Sequence, residues 1–248
     1  MPELMLDKLR PEIAKEIKPL FDEVLSCCAG NVHSIHMTGS AITPDFDTKR
    51  SDINSIFVLK EMDLKFLEIL APKGKKFRKR KVAAPLIMTP TYIKRSLDVF
   101  PIEFLNFRLI HETVYGEDVL AAIEIAHSDL RSQCERELKV KLIGLRQGYL
   151  ASMGDAKAIS EGLVGAITVQ MPLFRGIISL FGKTPPIVMD DVLEKLQQVT
   201  DINCEVYWNV LNEKRQKGQL SLTELNSLFK EYYSATEKLG KVVDEIKA

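Results

Sequence analysis

Apolar residues recur at spacings of three and four through Leu6, Leu9, Ile13, Ile17, Leu20, Phe21, Val24 and Leu25, the period of a helix with one buried face. The pattern predicts a helix from about Leu4 to Cys28, with Pro11 at the first turn of its main part and Gly30-Asn31 after its end. A strand over Val32 to Met37 follows and delivers Gly39-Ser40. The stretch from Ala41 to Ser51, with Pro44, Asp45, Asp47, Thr48, Lys49 and Arg50, is polar and turn-rich and reads as a loop lying over a ligand. Ile56-Phe57-Val58-Leu59 is a second strand, Asp63 to Ala71 a helix, and Pro85 to Met88 a buried strand. Thr89-Pro90 opens a short helix, threonine as cap and proline at the first position. Val99 to Phe107 reads as a further strand carrying Glu103, with Pro101 marking a sheet edge, and His111 to Asp118 as the segment closing this half.

From Val119 onward the strand signals stop. Leu130, Cys134, Leu138, Leu142, Leu145 and Tyr149 step along a charged helix that Gly154-Asp155 breaks. Ala158 to Phe181 is apolar on most sides, which predicts an interior helix, and Pro172 predicts that it kinks or divides. Helices over 189–199, 203–217 and 221–246 complete the chain, the last opened by a capping box of Ser221 and Glu224. The expected fold class is α+β: a mixed sheet with helices over 1–117, then an antiparallel helical bundle over 118–248.

Composition narrows the partners. The 248 residues are 46% apolar and 27% charged, and 34 Lys and Arg balance 34 Asp and Glu, so no global field draws the chain to nucleic acid or to an anionic membrane. One run, Lys73 to Lys81, is strongly basic with Phe77 inside it. It suits RNA or a polyphosphate, and equally an exposed continuation of the preceding helix; the balanced remainder favours the second, and nucleic acid is not the expected partner. Cys27, Cys28, Cys134 and Cys204 have neither the spacing of a zinc site nor that of a disulfide framework, and reduced thiols are expected. His33 and His36 are an odd number of residues apart on one strand and form no ligand pair within it. With no secretory leader pattern and no apolar run approaching the roughly 20 residues of a membrane span, the expectation is a cytoplasmic protein without a membrane partner. The apolar helix over 158–181 suits an interface between copies as well as a core, so an oligomer stays open.

The chemistry concentrates between Ile35 and Leu59. Glycine and a small hydroxyl at a strand end let the backbone approach a ligand with N–H groups free for phosphate oxygens, which makes Gly39 and Ser40 candidate nucleotide-binding residues. Asp52 and Asn54, two apart in an extended segment, project from one face. Paired oxygens there suit a hard divalent cation that in turn holds a triphosphate. Lys49 and Arg50 are candidate phosphate contacts or solvated loop charges. Glu103, flanked by Ile102 and Phe104, either faces a cation or looks out from an edge strand.

The order of strand, Gly39-Ser40, spacer, Asp52-Ile53-Asn54, strand and later acidic Glu103 resembles the signature of the nucleotidyltransferase superfamily, the fold of the aminoglycoside-type small-molecule adenylyltransferases. Tyr115-Gly116-Glu117-Asp118 is similar to the segment that joins the two domains of those enzymes. The resemblance implies transfer of a nucleoside monophosphate from a nucleoside triphosphate to a hydroxyl acceptor between the domains. Asp52 and Glu103 would be the catalytic carboxylates, and Asp52, Asn54 and Glu103 would hold Mg2+ or Mn2+. Asn54 departs from the pattern, which wants a carboxylate there, so weak metal binding and impaired transfer are expected. The alternative on the same fold is an inactive nucleotide-binding or protein-interaction module. The acceptor itself is not identified by any residue.

Overall fold

The computed structural model describes residues 3–216 and 220–247. Helix α1 spans Pro11–Cys28 with its proline at the first turn. Strand β1 (Val32–Thr38) ends in a 3-10 turn over Gly39–Ile42, and β2 (Asn54–Leu59) follows the polar loop. Helices α2 (Leu64–Leu70) and α3 (Gly74–Arg78) lead to β3 (Leu86–Met88). Asp63 caps α2 by accepting from Lys65 N. Helix α4 (Pro90–Arg95) is capped by the Thr89 side chain, which accepts from Tyr92 N.

The expected strand over Val99 to Phe107 is not one. Residues Pro101–Leu109 form helix α5, and Glu103 lies in its first turn. Its proline is the first helical residue, where the missing N–H costs nothing, rather than the mark of a sheet edge. Burial falls on Pro101, Ile102, Phe104 and Leu105 while Glu103 is exposed, a helical rather than an alternating spacing. The sheet instead gains β4 from His111–Gly116.

The sheet order is β3-β2-β1-β4, with β1 antiparallel to both neighbours and β3 parallel to β2. One face carries Ile35, Met37, Phe57 and Leu59, packed with Ile13, Ile17, Leu20, Phe21 and Val24 of α1 in one buried cluster. Phe21 meets Phe57 edge to face with centroids 5.3 Å apart, a geometry favoured by the ring quadrupoles. Gly116 is the last residue of β4, paired with Ser34 at φ +72°, where an added β-carbon would lie 2.1 Å from the His33 carbonyl oxygen, so only glycine fits.

The later elements are helices: α6 (His127–Ala151), α7 (Ala156–Leu180), α8 (Met189–Thr200), α9 (Glu205–Gln216) and α10 (Leu222–Glu245). The expectation for Lys217 at the end of α9 falls outside the described residues. Met153 and Gly154 take left-handed backbone between α6 and α7, and Asp155 caps α7 by accepting from Ala158 N. Of the two outcomes expected at Pro172, division does not occur: the proline lies inside a continuous α7. By length and composition Ala156–Leu180 could cross a membrane, but 61% of its most apolar window is buried inside the structure, as in the core helix of a folded bundle. Ser221 and Glu224 make the expected capping box of α10.

The chain separates into two compact units, Met1–Leu97 with Phe104–Glu124, and Asp98–Glu103 with Ile125–Ala248.

Candidate functional site

Across β1 and its neighbours, cross-strand partners share a face. Asn54 pairs with Thr38, and Thr38 pairs with His111, so the three stand in one row on the face opposite the α1 cluster. Asp52 and Asn54 are exposed while Ile53 between them is 4% exposed and joins that cluster. Asp52 and Asn54 thus flank Ile53 at alternating positions of the segment leading into β2.

Gly39 comes to this row from β1. Its φ is +74°, and a β-carbon there would stand 3.4 Å from Asn54 Nδ2. With the amide nitrogen turned toward Gly39, the amide oxygen is the atom left for a cation. Thr38 beneath it is anchored by donating to the Ile110 carbonyl oxygen at 2.8 Å. Ser40 is half-buried, and its carbonyl oxygen accepts from Thr43 N at 3.0 Å, closing the turn.

The loop that follows is pinned at several points. Arg10 Nη2 donates to Thr43 O at 2.8 Å and its guanidinium lies 5.7 Å from the Phe46 ring centroid. Asp47 Oδ1 accepts from Lys49 N, and Lys81 Nζ donates to Thr48 O, both at 2.8 Å. Lys49 and Arg50 are exposed on it, with Arg50 Nε 3.9 Å from Asp47 Oδ2.

Glu103 is carried by α5 and not by a strand of the sheet. Its Oε2 accepts from Gln133 Nε2 at 2.8 Å, while Gln133 Oε1 accepts from Ile102 N at 2.7 Å. This pair of bonds ties the start of α5 to α6. Nor does the sheet supply a substitute. The parallel neighbour of β2, Val82 to Thr89, contains no ionisable residue. Glu112 on β4 pairs with Met37, facing α1, and meets Lys8 at 3.1 Å. Among the described residues no group of three or more His, Cys, Asp or Glu is placed to hold a metal. Within the first unit the donors are one exposed carboxylate, Asp52, and one amide oxygen, Asn54, a set that fits a single Mg2+ carried largely by phosphate oxygens.

Beside the row lies a histidine network that sequence spacing did not foresee. His36 is fully buried, its Nδ1 2.8 Å from Thr113 Oγ1 and its Nε2 2.9 Å from Ser34 Oγ. Burial, aided by the nearby His111 ring, pushes its pKa down to about 4. His111, 5.9 Å away between centroids, contacts Asp118 Oδ1 at 2.9 Å. Burial works against the Asp118 carboxylate, but the N–H groups of Ala121 and Leu120 and the His111 ring outweigh it and hold its carboxyl below the usual range. Polar residues at even spacing in one strand, Ser34, His36 and Thr38, were the available signal.

The basic run is largely folded against α1. Lys73 and Lys76 reach Glu23, and Arg80 reaches Glu16 at 3.4 Å. The hydrogen bond from Lys73 holds the Glu23 carboxyl below its ordinary range. With Lys81 bound to Thr48 O, at least four of its cations are thus engaged within the protein. An apolar cleft of about 590 Å3, lined by Phe57, Leu67, Phe77 and Ile87, also touches Asp52, Arg78 and Lys81. All four cysteines are free thiols, with Cys27 Sγ and Cys28 Sγ 3.3 Å apart.

No protein-family model matches the chain, and no curated protein matches it in sequence. In three dimensions it is similar to a spectinomycin adenyltransferase from Enterococcus faecialis whose crystal structure contains ATP and spectinomycin. The TM-score is 0.56 at 15% identity, over 92% of this chain and 98% of that one. A mixed four-stranded sheet followed by helices gives this protein an α+β, nucleotidyltransferase-like fold.

Proposed function

We propose that the protein binds a nucleoside triphosphate with one Mg2+ at the end of β1 and transfers its nucleoside monophosphate to a hydroxyl of a small acceptor. The observation that carries this reading is the approach of the left-handed Gly39 turn to Asn54, in line with exposed Asp52, on the fold of an adenyltransferase crystallised with ATP.

The N–H groups of Gly39 and Ser40 face the phosphate oxygens, and the absent side chain of Gly39 makes room for them. Asp52 supplies the one charged oxygen to the cation and Asn54 a neutral one. Mg2+ or Mn2+ held by Asp52 and Asn54 would supply charge neutralisation to the triphosphate. Lys49 and Arg50 draw the polyphosphate in from the loop. In the transfer a bond forms between the acceptor oxygen and the α-phosphorus, the α–β bridging bond breaks, pyrophosphate leaves, and the hydroxyl proton passes to solvent or to the departing pyrophosphate. With a single carboxylate, metal affinity is weak and turnover slow.

A second reading, an inactive nucleotide-binding or protein-interaction module, is favoured by one specific observation: neither Val82 to Thr89 nor the open face of β4 adds a second carboxylate to Asp52. Calorimetric titration of ATP and GTP, with and without Mg2+, into the wild type and Asp52→Asn tests the site common to both readings. Binding that requires Mg2+ and weakens at least about tenfold in Asp52→Asn is expected from loss of the only charged ligand; equal affinities would contradict it. Pyrophosphate release with a panel of hydroxylated acceptors then separates transfer from binding alone.

A further inference from the structure

Among the described residues two buried side-chain polar atoms lack a hydrogen-bond partner, Ser55 Oγ and Gln170 Nε2. Gln170 is fully buried on α7, and its Oε1 accepts from the Tyr232 hydroxyl. Its other end is stranded. A buried N–H left unmade is expensive, and native proteins seldom keep one without a use.

The same residue lines a cleft of about 350 Å3 whose other walls come from α6, α7 and α10. Gly144 and Gly148 face it from α6, Gly162 and Gly165 from α7, and a β-carbon on any of them would meet nothing within 4 Å. The space therefore exists because side chains are missing, not because the helices approach closely. Glycine inside a helix lowers stability relative to alanine, which makes four of them on one cleft a costly arrangement for packing alone. A further wall is aromatic and fixed: Phe229 stacks on Tyr149 at 4.4 Å and 30°, and Tyr149 OH donates to Asn226 Oδ1 at 2.9 Å.

Charge selects against an ion. Lys141 and Glu161 both line the cleft, with opposite signs, and each has a partner on its own helix, Glu137 and Lys157, both at 3.9 Å. The volume lies in the range of small-molecule sites. We propose that this cleft binds a neutral, mainly apolar small molecule bearing a hydrogen-bond acceptor, whose oxygen takes the unclaimed N–H of Gln170. Every lining residue belongs to the second unit, and none is shared with Gly39, Asp52 or Asn54, so the proposal stands apart from the nucleotide reading.

Acetophenone and ethylbenzene are the probes, nearly equal in shape and differing by one carbonyl. Each is titrated into the full chain by NMR, with Gln170→Leu and Gly162→Leu compared, and with Gly148→Leu as a second block from the facing helix should Gly162→Leu fail to fold. Acetophenone should bind about five- to tenfold more tightly than ethylbenzene, the effect of one hydrogen bond to a buried donor. Gln170→Leu should erase that preference, and a leucine in the cleft should weaken both probes at least tenfold. Equal affinities in the wild type, binding untouched by either leucine block, or no binding at millimolar probe would each overturn the proposal. So would concentration-dependent dimerisation that Gly162→Leu abolishes without any bound probe, which would assign the cleft to a second copy of the chain.

Discussion

A β-carbon at Gly39 would stand 3.4 Å from Asn54 Nδ2. That distance joins the end of β1 to the start of β2 and places the turn's backbone beside the Asp52-Ile53-Asn54 segment. Gly39→Ala should cost about 1–2 kcal/mol of stability, because φ +74° is left-handed backbone that alanine resists. If the turn also cradles phosphate, nucleotide affinity should fall beyond what partial unfolding explains. Urea titration and calorimetry on the same sample separate the two effects, and unchanged affinity of the folded fraction would remove Gly39 from the site.

The buried histidine predicts a pH dependence. The pKa of His36 in the folded protein is lowered to about 4 by burial and, secondarily, by His111, against about 6.5 when unfolded. Between those values the unfolded chain binds the proton and the folded chain does not, so stability is fully present above pH 6.5 and is lost as the pH falls toward 4. The size is roughly 2–3 kcal/mol between pH 7 and 4.5. Unfolding free energies at the two pH values should differ by less in His36→Gln, which keeps the polar contacts to Ser34 and Thr113 without the titration. An identical pH slope in both proteins would rule His36 out as the source.

Helix capping gives a test of the second unit. Ser221 Oγ accepts from Glu224 N at 3.4 Å, and Ser221 N donates to Glu224 Oε2 at 2.8 Å. Ser221→Ala should lower stability by about 1 kcal/mol, read as a shift in the urea midpoint without a change in slope.

Much of this architecture was legible because local signals and tertiary packing agree. Pro11 at a first turn, Thr89 as a cap, Asp155 after a left-handed glycine and the Ser221–Glu224 box all mark helix ends, and the structure uses each of them. The reading failed where apolar density outran period. Val99 to Phe107 is rich enough in aromatic and branched residues to resemble a buried strand, yet its buried positions follow a helical spacing and Pro101 starts a helix. The strand that borders β1 is β4, where His111, Glu112 and Thr113 hide the alternation under polar side chains that serve the histidine network or meet Lys8. Near the candidate site the turn at Gly39-Ser40 and the strand that follows Asp52-Ile53 were readable, because glycine after an apolar strand and a run of branched and aromatic residues mark a turn and a strand. The placement of Glu103 was not, since it depended on that mistaken strand.

Asn54→Asp tests the central claim most directly. The two side chains have nearly the same shape, so the substitution adds a charge beside Asp52 without altering the turn at Gly39. Calorimetric titration of Mg2+ with ATP, followed by a pyrophosphate assay with hydroxylated acceptors, is made on the wild type and the variant. If Asp52 and Asn54 hold the cation of a nucleotide site, the variant should bind magnesium nucleotide about tenfold or more tightly and release pyrophosphate faster. Unchanged magnesium and nucleotide affinity after introducing the carboxylate would contradict the account and remove Asp52-Ile53-Asn54 from any metal site.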